Sequence, residues 1–158
     1  MHKSVRILNR IVEWGSEGIR YVADQRHAEL LIAGLGLAPD SKPLTNPGRK
    51  LTAKELDAEL APLDGRAATE FRIMTARANF LASDRPDAAF AVNELCRGMS
   101  SLTTCDAEAL KRLTRYLLGR PRVVYAWQDE PKSLDGFTAS DWAGCVRARW
   151  CTTGGGRV

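Results

Sequence analysis

The chain has 158 residues, 44% hydrophobic and 27% charged, which is long enough for one domain with a real core and excludes a disordered polymer. Its formal net charge is +4, carried unevenly: residues 1–65 hold nine basic and nine acidic side chains, residues 66–126 ten and six, and residues 127–158 four and four. The positive excess therefore sits on the central segment, where it suits either a phosphate-backbone partner or a solvated helix face.

Ser4–Trp14 alternates apolar and polar residues well enough for one strand, Gly15-Ser16-Glu17-Gly18 is a turn, and Ile19–Ala23 is a second strand. Together they predict a β-hairpin with a four-residue connection. Asp24 is the expected N-cap of a helix over Gln25–Leu35, with Ala28, Leu31, Ile32 and Leu35 on one face and Gly36 near its end. Ala38–Lys50, with Pro39, Pro43, Pro47 and Gly48, is an irregular connector, and Lys54–Leu60 is a short helix.

A long helix is predicted from Arg66 to Ala82, striped by Phe71, Met74, Thr75, Ala78 and Leu81. Asp84-Arg85-Pro86 ends it and starts the next helix, which runs to Met99 and is expected to bury Ala89, Val92, Cys96 and Met99, flanked by Phe90 and Leu95. Asp106 caps a third helix in which Leu110, Leu113, Leu117 and Leu118 form the apolar stripe, with Lys111, Arg112 and Arg115 opposite and Arg120 and Arg122 just beyond its end. Val123–Trp127 and Leu134–Ala139 read as strands. The expected class is α+β: an N-terminal β-hairpin, a central helical cluster and incomplete C-terminal strands.

Cys96, Cys105, Cys145 and Cys151 form no CxxC pair, and His2 and His27 do not complete a zinc pattern, so four reduced thiols are expected. No apolar run approaches the ~20 residues of a membrane span. The N-terminus lacks the apolar core of a secretory signal. These features predict a soluble intracellular chain, cytoplasmic or nuclear, without a membrane partner.

Arg85-Pro86-Asp87 alone reads as a helix start. In order after it come Phe90-Ala91-Val92-Asn93, Leu110-Lys111-Arg112 and Tyr116-Leu117-Leu118-Gly119, and upstream lie Asn9–Trp14, Gly18-Ile19, Asp24–Glu29, Lys42-Pro43 and Asn46-Pro47-Gly48. This succession resembles the part of copia-type retrotransposon Pol polyproteins where reverse transcriptase ends and ribonuclease H begins. The resemblance implies three segments: residues 1–50, a post-palm hairpin, thumb-like helix and connector; residues 51–121, a helical connection; and residues 122–158, an incomplete ribonuclease-H-like segment. It also implies that the hairpin at Trp14, Gly15 and Gly18 lies near a primer end. Lys111, Arg112, Arg115, Arg120 and Arg122 would follow an RNA–DNA hybrid through its backbone without reading sequence.

The catalytic parts expected by the resemblance are missing. The tyrosine-x-aspartate-aspartate element of the polymerase is absent, and Asp24, Asp40, Asp57 and Asp64 stand isolated. Where the nuclease pattern has aspartate, small residue, aspartate, tryptophan, alanine, glycine, this chain reads Ala139-Ser140-Asp141-Trp142-Ala143-Gly144. Alanine cannot hold a metal, which leaves Asp141 as a vestigial metal ligand or a structural turn residue. Magnesium or manganese would serve the complete parent enzyme, and no cofactor is expected for this chain alone. The expectation is a non-catalytic fragment with sequence-independent nucleic-acid binding. The alternatives are an assembly piece that associates with other polyprotein segments through open strand edges, or a cut-out of an active RNA-directed DNA polymerase.

Overall fold

In a computed structural model of the chain, the described residues are 3–38, 40–48 and 61–127, together with the backbone of 136–141 and 152–157. The elements are β1 (Lys3–Ile7), β2 (Arg10–Gly15), β3 (Gly18–Val22), α1 (Arg26–Gly34), α2 (Gly65–Ala82), α3 (Pro86–Arg97), a 3-10 turn (Gly98–Ser100), α4 (Thr104–Gly119), β4 (Val124–Trp127), β5 (Gly136–Asp141) and β6 (Thr152–Arg157). The fold is α+β, as expected. The expected helix Lys54–Leu60 lies outside the described residues.

The chain divides into two units, Met1–Lys50 with Glu59–Trp127, and Leu51–Ala58 with Gln128–Val158. In the first, an antiparallel sheet of order β1-β2-β3-β4 accompanies the four helices. In the second, β5 pairs antiparallel with β6, placing Ala139 opposite Gly154 and Asp141 opposite Thr152.

The expected single strand Ser4–Trp14 is two strands. Leu8 (φ 48°) and Asn9 (φ 62°) both sit in the left-handed region, and Ile7 pairs with Arg10 around them. Positive φ at both central residues matches the right-handed twist of a two-residue hairpin. Asparagine adopts that conformation readily and leucine only at a steric cost, and Leu8 is left 80% exposed. The second hairpin is tighter than expected, since Gly15 and Gly18 pair and leave only Ser16 and Glu17 between the strands. A further strand, β4, adds to β3 with Tyr21 opposite Tyr125. The sheet thereby draws residues 124–127 beside the N-terminal hairpin.

Helix α2 starts at Asp64, whose carboxylate accepts from Ala67 N at 2.7 Å. Its expected stripe is buried at Phe71, Thr75, Ala78 and Leu81, while Met74 is half-buried. In α3 the expected face is shifted. Ala88, Ala91, Val92 and Leu95 are buried, Ala89, Cys96 and Met99 are half-buried, and Phe90 is 60% exposed. The side-chain bonds of Asp87 set this phase, because Asp87, Ala91 and Leu95 follow one another at four-residue steps on the same flank. Helix α4 has its N-cap at Thr103, not at Asp106. The Asp106 carboxylate reaches back to accept from Thr103 N (2.8 Å) and Thr103 Oγ1 (2.7 Å) in a capping box. Leu110, Leu113 and Leu117 are fully buried, and Leu118 only partly. With Ala28 and Leu31 of α1 they form one core. Cys96 and Cys105 are free thiols.

Candidate nucleic-acid interface

The basic residues of α4 separate into two groups. Lys111 is exposed, whereas Arg112 and Arg115 are half-buried. Arg112 Nε donates to Gly48 O at 3.1 Å and Arg115 Nε to Lys42 O at 2.8 Å. Leu44 N returns a bond to Arg115 O at 3.3 Å. The proline-rich connector is thus strapped along α4, and Gly119 lets it close: a Cβ there would lie 2.7 Å from Pro43 Cβ. Backbone carbonyls are neutral acceptors, so the straps fix the guanidiniums without cancelling their charge. Lys111, Arg112 and Arg115 line a shallow cleft with Leu44, Ala109 and one carboxylate, Glu108. Arg120 and Arg122 lie at a second cleft, beyond the helix end, with Pro86, Asp87 and Tyr125.

Between α2 and α3, the Asp84-Arg85-Pro86-Asp87 turn does far more than start a helix. Asp84 Oδ2 accepts from Arg10 Nε at 2.7 Å and Oδ1 from Tyr21 OH at 2.9 Å, while Tyr125 OH donates to Asp84 O at 2.8 Å. Arg85 is 1% exposed. It grips Asp87 with both Nε (2.9 Å) and Nη2 (2.8 Å), and its Nη1 donates to Arg120 O at 2.8 Å. Tyr116 OH donates to Asp87 Oδ2 at 2.6 Å. One four-residue turn therefore ties β2, β3 and β4 to α3, α4 and the end of α4. Charge-assisted, bidentate bonds of this kind are the strong ones.

Burial alone would raise the Asp87 carboxyl, but the bonds from Arg85 and Tyr116 outweigh it and hold its pKa below the ordinary value. Burial pushes the Tyr116 hydroxyl up, and its bond to Asp87 pushes it further. Asp24 behaves like Asp87: burial opposes ionisation, and the Arg26 side chain and N–H more than offset it. A depressed carboxylate stabilises the fold fully above its unfolded pKa and loses that contribution as pH falls through its folded one. Stability should hold from neutral pH to about pH 5 and then decline. Asp87→Asn should flatten part of the decline in urea unfolding at stepped pH; an unchanged acid limb would remove Asp87 from this account.

The other expected site residues are placed as follows. Trp14, in β2, pairs with Ile19 and with Lys3 and is 40% exposed. Gly15 and Gly18 close the hairpin, Gly18 at φ 112°. The hairpin tip and the α4 clefts belong to the same unit. Sequence reasoning missed the Arg10–Asp84–Tyr21 and Arg85–Asp87–Tyr116 networks, whose one local signal is the buried-type Arg-Pro-Asp run.

No family model matches the chain, and no solved structure matches it. Among curated proteins it is 29% identical over 135 residues to an uncharacterized mitochondrial protein of Arabidopsis thaliana, an alignment that takes in 85% of this chain and 54% of that one. It is also 38% identical over 77 residues to the retrovirus-related Pol polyprotein from transposon RE1 of the same plant, and equally to that from transposon RE2. Over those 77 residues, 48% of its length, the chain is similar to retrotransposon Pol polyproteins. These relatives fit the copia-type resemblance. The chain spans about half the length of the mitochondrial relative and 5% of each Pol polyprotein.

Metal chemistry of the kind a Pol polyprotein implies has no matching donor set among the described residues, where no three His, Cys, Asp or Glu side chains converge as a metal site would require. In β5, the position where the resemblance implies a carboxylate is Ala139, which is in register with Gly154 of β6. The backbone of Asp141 lies in the same strand, and Trp142–Gly144 are outside the described residues. Among the described residues, no helix is long and apolar enough to cross a membrane.

Proposed function

We propose that this chain corresponds to the reverse-transcriptase thumb and connection, with the start of ribonuclease H, of a Pol polyprotein, and that it binds RNA–DNA hybrid through the backbone without catalysis of its own. The supporting observation is the α4 cleft. Arg112 and Arg115 are held in place through Nε by uncharged carbonyls, beside Lys111, in a cleft where Glu108 is the one carboxylate among the described lining residues. Such preorganised cations meet phosphates at low entropic cost. The Trp14–Gly18 hairpin would lie toward the primer end.

Neutralising three or four phosphates gives a log–log salt slope of about −3. Fluorescence anisotropy of a labelled hybrid over a salt series should return that slope, and Lys111→Ala should make it shallower by about one. Undetectable binding at about 20 mM salt would end the proposal.

Assembly with other polyprotein segments is a second reading, favoured by β1. This edge strand has all five residues exposed, and open edges invite pairing. Light scattering over a concentration series separates the two, because a solitary nucleic-acid binder stays monomeric.

A further inference from the structure

One face of the four-stranded sheet is aromatic and carries no carboxylate of its own. Strand alternation and register put Val12, Trp14, Ile19, Tyr21, Tyr125 and Trp127 on it. The Tyr125 and Trp127 rings are stacked, 5.9 Å apart with planes 20° from parallel. Tyr21 completes the cluster at 5.9 Å from Tyr125 and 6.3 Å from Trp127. Trp127 remains 54% exposed at the open end. The charged strand residues on this face are Lys3, opposite Trp14, and Arg10, which is paired with Asp84.

At the Tyr125 end the strip runs into an open cleft of about 490 Å³ lined by Pro86, Asp87, Arg120, Pro121, Arg122 and Tyr125. The Asp87 charge there is already met by Arg85, so Arg120 and Arg122 set the sign of the cleft. Cations thus stand at both ends of a stacked-ring strip. An apolar protein partner has no use for that arrangement, whereas a polynucleotide with exposed base faces does. In a duplex the base faces are hidden, which excludes a double helix from this strip.

We propose that the cleft and the β3–β4 aromatic strip form a track for single-stranded polynucleotide, with a phosphate held by Arg120 and Arg122 and a base stacked on Trp127. This deepens the nucleic-acid reading above and rests on it only for the class of ligand. It also divides the five basic residues, giving Lys111, Arg112 and Arg115 to the hybrid and Arg120 and Arg122 to the single strand.

The test uses the full chain with two labelled probes of equal length, an oligothymidylate of about ten nucleotides and a blunt RNA–DNA hybrid. Trp127→Ala should weaken oligothymidylate binding about tenfold and leave hybrid affinity unchanged. Trp127→Phe should restore most of the loss. Arg122→Ala, at an exposed position, should weaken the single-strand probe without any packing change. Hybrid binding with no response of the oligothymidylate to Trp127→Ala and Arg122→Ala would overturn the track and spare the α4 reading. Binding of neither probe by the parent chain would overturn both. Loss of self-association in Trp127→Ala, with oligothymidylate binding intact, would make the face a protein interface and overturn the track.

Discussion

Replacing Arg85 by leucine is expected to destabilise the fold by about 3 kcal/mol. The guanidinium is 1% exposed and supplies three bonds, two to Asp87 and one to Arg120 O. Removing it leaves Asp87 without its cation, with Tyr116 as its remaining side-chain partner, and orphans the Arg120 carbonyl at the end of α4. Arg85→Lys keeps the charge but cannot reproduce the two-pronged grip, so it should recover only part of the loss. Asp87→Asn is the sharper comparison, because it strands a buried cation rather than a half-exposed anion. Arg85→Met combined with Asp87→Leu should cost less than the sum of the single changes, since deleting both charges removes the desolvation penalty along with the attraction. Urea unfolding with a constant m-value reads all four. A change below about 0.5 kcal/mol for Arg85→Leu would mean the turn carries no more than a surface pair does.

The same turn shows what the sequence made legible. Periodicity located α2 within one residue of its start, and the Leu110, Leu113 and Leu117 stripe of α4 is the core as expected. These signals are local, each repeating within one element. Leu8-Asn9 escaped because its hairpin turn lacks the glycine that usually announces left-handed backbone. The α3 face was displaced because its phase is set by Asp87 bonding to residues 85 and 116 rather than by its own apolar spacing. The networks join residues 10, 21, 84, 116, 120 and 125, and no periodic pattern within a segment encodes such separations. For the candidate site, the cations themselves were legible. Their division was not, because it depends on where the connector carbonyls of Lys42 and Gly48 come to lie.

Asp84→Ala is the second large effect, an expected loss of about 2–3 kcal/mol with a definite location. Asp84 holds the sheet through Arg10 at 2.7 Å and Tyr21 at 2.9 Å. Burial pushes the Tyr21 hydroxyl up, and the bond to Asp84 adds to it, so that phenol stays a donor across the neutral range. The alanine variant leaves both partners facing a methyl group, while the Tyr125 bond to the Asp84 carbonyl survives because it needs no side chain. The sheet should therefore loosen at β2–β3 first. Hydrogen exchange should show faster β2 and β3 amides with α4 still protected, and uniform loss across sheet and helices would refute an anchoring role confined to the sheet. Tyr21→Phe should cost about 1 kcal/mol, and Arg10→Met more, because it leaves the carboxylate of Asp84 without its cation. The binding consequence follows from the same geometry. Asp84 fixes the aromatic strip against the turn that also positions Arg120 through Arg85, so its loss should weaken single-strand binding while hybrid binding at the strapped Arg112 and Arg115 persists.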